Sequence, residues 1–334
     1  MRHKGEPDII ASLASMYKDM VPSGFTGIGD DCAVLPFSGE ESLVITTDML
    51  TEDSHFLRNK ISPFQLGYKS LAVNLSDVCS MGASPVCTFL SVALDRDAAN
   101  GWIDDFNEGY YKLSSRYNVP LLGGDTTCSP RGITINVTAI GKVNNKHLKL
   151  RSSALPGDKI VVCDTLGDSA AGLKIIRSGK ENLSAPYRIL TDKHLMPAPC
   201  IEKGIWLGTR TEVHAMMDIS DGIAKDLRQI LACSNTGARI YTHHLPLSPE
   251  LQQVCQIENW NPTELALCGG EDYSLLFTVA EAKYETLQKT YYQKFQEPLS
   301  VIGEITVPGK GIEWYDEQGK QNRDYMGFTH FSSL

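Results

Sequence analysis

The chain has 334 residues, 42% hydrophobic and 21% charged, with 31 Lys plus Arg against 40 Asp plus Glu and a formal net charge of −9. At roughly 150 residues per domain this length predicts two domains, and the mix excludes a disordered tail, a collagen-like fibre and a disulfide-dependent mini-scaffold. The acidic balance argues against nucleic-acid binding through a basic surface, and no run approaches the roughly 18 apolar residues of a membrane span.

In chain order, Ile9, Ile10, Leu13, Met16, Tyr17 and Met20 fall at helical spacing over residues 8–20, after Pro7. Leu43–Thr46 is a short apolar, β-branched run and predicts a strand. Ser62-Pro63 predicts a cap and first turn for a helix reaching about Gly82, followed by a strand over Pro85–Leu94 and an amphipathic helix over 102–117. Ile133, Ile135 and Val137 alternate with polar residues, the period of a half-buried strand. The pattern breaks between about Asn144 and Asp158, which sets domains at 1–150 and 151–334. Beyond it, strands are expected at Lys159–Cys163, Val213–Met217, Ala238–Thr242 and Tyr273–Val279, with helices after Gly167 and over Ser220–Ala232. The segment 300–331 reads as short strands and turns. The fold class expected is mixed, α/β and α+β.

Nine cysteines lie singly, with no CxxC, mostly in apolar runs such as Ile160–Cys163. Reduced, buried thiols are expected, and with no apolar leader segment visible at the N-terminus the expected location is the cytoplasm.

Several catalytic signatures are missing: GxxxxGK[ST], a strand-borne GxGxxG, HExxH, GxSxG and the protein-kinase loops. What remains is a series of acidic residues beside Gly, Ser or Thr: Asp30 and Asp31, Asp48 after Thr46-Thr47, Asp77, Asp125 after Gly124, Asp218 and Asp221 flanking Ser220, and Glu271-Asp272. Asp48 and Asp218 follow apolar runs, so their carboxylates are expected at strand ends, where open sheets place ligands. Asp77 falls within an apolar helical pattern and should point inward, which is costly unless it is paired or binds metal. Oxygen donors of this kind suit Mg²⁺ joined to substrate phosphates. Each aspartate alone reads as a turn residue or cap, Asp31 and Asp272 especially. By default His55 is a polar surface group, Phe328 packs the tail and Arg151 is a solvated junction charge. The residues by themselves reach a Mg²⁺–phosphate enzyme and no further.

Eight features stand in order: GIGDDCAVL, ITTDML, His55, KSLAVNLSDVCSMGASP, LLGGDTT, RSSALPGD, MDISDGIAKDL and GGEDYSLLFTV, with a GFTHF tail. Together they resemble the thiamine-monophosphate kinase family of the aminoimidazole-ribonucleotide-synthetase-like superfamily. The resemblance implies an N-terminal α/β domain that dimerises through its sheet and a C-terminal α+β domain. It also implies ATP-dependent phosphorylation of thiamine monophosphate to thiamine diphosphate, with several Mg²⁺ ions. Matched by position, Asp30, Thr46, Thr47, Asp48, Asp77, Asp125, Asp218 and Asp221 would bind metal, and Asp48, Asp125 and Asp218 would act in catalysis through it. Gly124, Asp125, Arg151 and Ser220 would bind nucleotide, while His55, Glu271 and Phe328 would contact the thiamine phosphate. One departure is Asn107, where the family often carries an aromatic residue. The alternatives are another ATP-dependent enzyme of the superfamily, such as aminoimidazole-ribonucleotide synthetase, or a catalytically silent cation-binding module.

Overall fold

A computed structural model describes residues 5–98, 101–180 and 183–328. The first unit comprises α1 (Glu6–Tyr17), β1 (Ala33–Pro36), β2 (Glu41–Thr51), α2 (Pro63–Ser80), β3 (Ser84–Leu94), α3 (Trp102–Tyr117), β4 (Leu121–Cys128) and β5 (Thr134–Asn144). Its five strands lie in the order β1-β2-β5-β3-β4, antiparallel except for the parallel β3–β4 pair at the edge.

The second unit continues with β6 (Lys159–Val162), α4 (Asp168–Ser178), α5 (Ala185–Leu195), α6 (Ile201–Gly208), β7 (Val213–Asp218) and α7 (Ile223–Ser234). It is completed by β8 (Gly237–Tyr241), α8 (Pro249–Glu258), α9 (Pro262–Cys268), β9 (Leu275–Val279), α10 (Tyr284–Phe295), β10 (Ser300–Thr306), β11 (Ile312–Asp316) and β12 (Gly319–Lys320). Its seven-stranded sheet has the order β12-β11-β8-β10-β6-β9-β7.

The helix that organises the molecule is α2. Ser62 caps it: Ser62 Oγ accepts from Gln65 N at 3.2 Å, and Gln65 Oε1 accepts from Ser62 N at 3.0 Å, a reciprocal capping box ahead of Pro63. Almost every residue from Leu66 to Ser80 is buried, because α2 packs on the first sheet, on α3, on α6 and on β7 at once. Each fully buried leucine along it, such as Leu71 and Leu75, adds about 2 kcal/mol relative to an exposed one. The crossing with α3 is unusually close. A Cβ on Gly67 would sit 1.9 Å from the Phe106 carbonyl oxygen, and one on Gly109 would sit 1.8 Å from that of Phe64.

The structure revises several element boundaries. β2 does not end at Thr46 but runs to Thr51, since Val44, Thr46, Asp48 and Leu50 continue one alternating face towards α2. Asp48 is therefore inside a strand rather than at its carboxyl end. LLGGDTT likewise forms β4 itself, with Asp125 within the strand. The helix expected from Ser220 starts at Ile223, because Asp226 in its first turn accepts from Asp221 N at 3.1 Å and closes the turn before it. The apolar residues at helical spacing form α1, which carries no buried residue. The GFTHF tail beyond Phe328 lies outside the described residues.

Gly109→Ala is expected to cost about 3 kcal/mol, since overpacking against backbone cannot relax by side-chain rotation. Urea unfolding should show the midpoint falling with an unchanged slope.

Candidate active site

Polar residues on α2 meet groups from β2, from the end of β7 and from the turn before β1. Thr46 Oγ1 on β2 donates to Asp77 Oδ2 at 2.6 Å, and Ser76 Oγ donates to Asp218 Oδ2, at the end of β7, at 2.6 Å. Ser80 Oγ donates to Asp31 Oδ2 at 2.8 Å, and Asn74 Oδ1 accepts from Asp48 N at 3.2 Å. These bonds bring one oxygen each of Asp31, Asp77 and Asp218 within 4.8 Å of one another.

Such crowding of like charge away from water has an electrostatic signature. Burial, then Asp31, pushes the Asp218 carboxyl up to about 8. Burial, then Asp48 and Asp218, pushes Asp77 well above the carboxylate range. Asp48 and Asp30 each rise to about 6, through burial and then Asp31. The offsetting cation is Arg151, at the junction of the two units. Its guanidinium pairs with Asp31 and lies 3.8 Å from Asp30 Oδ1, and its backbone N donates to Asp30 Oδ2 at 3.0 Å. Burial opposes its charge, but Asp31 and Asp30 together hold it protonated above its ordinary value. One guanidinium among this many carboxylates leaves the cluster short of positive charge. Hard oxygen donors, closely grouped and under-neutralised, fit Mg²⁺.

A cavity of about 510 Å³ opens beside the cluster, lined by Asp48, Asp77, Ser220 and Asp221 together with His55, Glu271 and Phe328. His55 Nδ1 accepts from Thr51 N at 3.0 Å, Phe328 N donates to Asp221 O at 3.0 Å, and Asp221 pairs with Lys225 at 2.5 Å. Seven of the residues expected from the resemblance thus share one cavity.

Thr47, Gly124 and Asp125 do not join it. Asp48, Val137, Leu90 and Gly124 form one row across the sheet, whereas Met49, Asn136, Ser91 and Asp125 form the next. Adjacent rows face opposite sides, so Asp125 points away from α2. Thr47 Oγ1 lies on that same open side, 3.2 Å from Asn136 Oδ1. Gly124 is required where it stands, because a Cβ there would meet the Leu90 carbonyl oxygen at 1.7 Å.

Asp31, read from sequence as a cap, belongs to the carboxylate trio. Its signal was the doubled aspartate of GIGDD, where both residues leave one tight turn towards the same centre. Lys69 and His194 also line the cavity; Lys69 opens the KSLAVNLSDVCSMGASP segment but was not read as a site residue, and His194 carried no sequence signal. Asp272 does act as a cap, accepting from Gly167 N at 2.8 Å at the start of α4.

The raised carboxylates fix a pH dependence. A group whose folded-state value lies above its ordinary 3.8 stabilises the fold while protonated, and that contribution is lost as pH rises through about 6 for Asp30 and Asp48 and about 8 for Asp218 and Asp272. In EDTA the melting temperature should therefore fall by several degrees between pH 5 and about 8.5. Added Mg²⁺ should raise it more at the alkaline end. A flat EDTA profile would remove the uncompensated cluster.

Two family models match: AIR synthase related protein, N-terminal domain, over residues 29–143, and its C-terminal domain over 156–316. The thiamine-monophosphate kinase of Escherichia coli K12 is 37% identical over 327 residues, covering 96% of this chain and 98% of that one. That of Buchnera aphidicola subsp. Acyrthosiphon pisum is 39% identical over 306 residues, covering 91% and 92%. Among solved structures, AaThiL complexed with AMPPCP and TMP superposes with a TM-score of 0.86 at 31% identity, covering 99% of each chain. Identity at this level, sustained across both units, is shared ancestry of the whole chain: it belongs to the thiamine-monophosphate kinase family of AIR synthase related proteins.

Proposed function

We propose that this chain transfers the γ-phosphoryl group of ATP to thiamine monophosphate, giving thiamine diphosphate and ADP. The observation that carries the chemistry is the carboxylate trio opening, through Asp77, onto the cavity. In the transfer an oxygen of the acceptor phosphate bonds to the γ-phosphorus while the bond from that phosphorus to the β,γ-bridging oxygen breaks. The acceptor oxygen is already anionic near neutral pH, so no general base has to create a nucleophile. The two histidines lining the cavity fit that requirement, since His55 Nδ1 is engaged by Thr51 N and His194 Nδ1 lies 3.0 Å from Glu271.

The barrier is repulsion between two polyanions. Mg²⁺ held by Asp31, Asp77 and Asp218, with Asp30, Thr46, Asp48 and Asp221 around them, would supply the neutralising charge. Arg151 adds a fixed cation, anchored by Asp31 so that it cannot swing to solvent. In this reading Ser220 and Arg151 serve the nucleotide, and His55, Glu271 and Phe328 hold the acceptor. Residues 1–150 carry Asp30, Asp48 and Asp77, and 151–334 carry Asp218 and Glu271, so the reaction takes place between the two units. No described helix is long and apolar enough to cross a membrane, and nine free thiols support action in the reducing cytoplasm.

We further propose a homodimer through the first sheet. The open face of that sheet exposes Met49 and Phe89, and every residue of the edge strand β4 is exposed, a pairing-competent edge that a second copy would cover. Thr47 and Asp125 would then face the partner, and Asp125 would serve the partner's nucleotide rather than its own.

A coupled ADP-release assay with thiamine monophosphate, thiamine and no acceptor should give turnover with the first alone. Asp31→Asn and Asp218→Asn should each lower kcat by roughly 100-fold or more; near-normal turnover in either would sink the metal assignment. Sedimentation should give twice the chain mass. Mixing inactive Asp125→Asn with inactive Asp218→Asn should restore about a quarter of wild-type activity through mixed dimers with one intact site. No recovery would put Asp125 in its own protomer's site.

A further inference from the structure

Lys69 and Glu271 come from different units and meet at the cavity wall. Lys69 is 1% exposed, and its ammonium donates to Glu271 Oε2 at 2.8 Å and to the His194 carbonyl at 3.1 Å. His194, on α5, places Nδ1 3.0 Å from that same oxygen and 3.0 Å from Ser169 Oγ. A buried ammonium needs a partner, so one explanation is a latch between units. Three further observations require more than a latch.

Both donors take Oε2. Among the described residues nothing bonds Oε1, and the Glu271 side chain keeps 25% exposure beside the cavity while the lysine behind it keeps almost none. The backbone is held in an unfavourable conformation to achieve this. Glu271 and Tyr273 have φ of 64° and 48°, a region that side-chain-bearing residues rarely adopt. They are pinned there by bonds from Glu271 N to Ser220 O at 2.7 Å and from Tyr273 N to Ile219 O at 2.9 Å. Finally, Lys69 and Asp77 lie on one face of α2, eight residues apart, which is a rise of about 12 Å. The Glu271 carboxylate therefore stands away from the Asp31, Asp77 and Asp218 cluster, where it would meet the far end of an elongated acceptor whose phosphate lay at Asp77.

Burial alone would raise the Glu271 carboxyl, but Lys69 and His194 outweigh it and hold the group well below the usual range. Burial, then Lys69, keeps His194 neutral by lowering it below its ordinary value. The carboxylate therefore accepts and never donates.

We propose that Lys69 and His194 are positioning residues that fix Glu271 through Oε2 so that Oε1 accepts a hydrogen bond from the exocyclic amino group at the heterocyclic end of the acceptor, making this contact a determinant of acceptor choice. The proposal rests on the acceptor being thiamine monophosphate. Its chemistry is that of a site built to bind a donor, which rejects an analogue lacking that donor because the buried acceptor is left unmatched.

The test compares thiamine monophosphate with its analogue bearing hydrogen in place of the pyrimidine amino group. With wild-type protein the analogue should show a KM raised about 30-fold, with kcat changed less than about threefold. Lys69→Met should raise the KM for thiamine monophosphate about tenfold, leave that for ATP unchanged, and bring the two acceptors to near-equal use. Lys69→Arg should restore most of the preference, and Glu271→Gln added to Lys69→Met should cost little more. Equal KM values for both acceptors in the wild type would overturn the proposal without any variant having to fold. So would a Lys69→Met protein that loses kcat with its acceptor preference intact, which is what a mere latch predicts. Failure of the wild type to phosphorylate thiamine monophosphate at all is a different result, and removes the functional reading instead.

Discussion

Negative charge gathered away from water is the constraint around which this molecule is organised. Asp31, Asp77 and Asp218 come from a turn, a helix and a strand end, and would repel one another apart if nothing held them. What holds them is a set of hydroxyls, Thr46, Ser76 and Ser80, each donating one short bond to a carboxylate oxygen. The hydroxyls orient without neutralising, and Arg151 neutralises only in part. The fold thus stores an electrostatic deficit that a divalent cation and the phosphates it accompanies would resolve. Catalysis of this type needs charge placed in advance, and the tertiary structure meets that need at the cost of its own alkaline stability.

Bearing that deficit requires a rigid support, and α2 provides it. The helix is closed on three sides by the first sheet, α3 and the second unit, and the glycine crossing at Gly67 and Gly109 removes the side chains that would keep α3 at a distance. The serines, asparagine, lysine and aspartate that face the site are therefore fixed by the packing of Leu66, Leu71 and Leu75 on the helix's other faces. The seam between the units is not a loose hinge surface. Arg151 bridges it at one end of α2, and Lys69 with Glu271 bridges it at the other.

How much of this could be read beforehand follows from the range of the forces involved. Local signals were legible: the Ser62-Pro63 cap, the helix over 102–117 and the alternation at Ile133–Val137 are set by neighbours in sequence. The inward aspect of Asp77 was legible too, from its place in an apolar pattern. Strand ends were not, because Thr46 and Asp48 look polar until α2 is known to offer polar partners to that face. Asp31 resembled a cap because its partners, Ser80 and Arg151, are 49 and 120 residues away. The part that Lys69 and His194 play in the site was hidden for the same reason, the Lys69–Glu271 bond spanning 202 residues. Asp125 was visible as a motif, but its facing direction depends on strand register, which the motif does not encode. The apolar stripe of α1 is the reverse case: its periodicity is plain, and no described residue buries it.

The row of polar residues along α2 has a consequence for how this chain tolerates change. Lys69, Ser76, Asp77 and Ser80 act together because they share a helical phase. A single residue inserted or deleted between Lys69 and Asp77 would turn one end against the other by about 100°. Either the carboxylate trio or the Glu271 contact would then point into the hydrophobic core. Loops elsewhere can lengthen at little cost, but this stretch is locked in length as well as in identity. The spacing of eight positions from Lys69 to Asp77 is the unit that must be inherited intact, and duplication, slippage or splicing within it would abolish the site even where every chemical group survived.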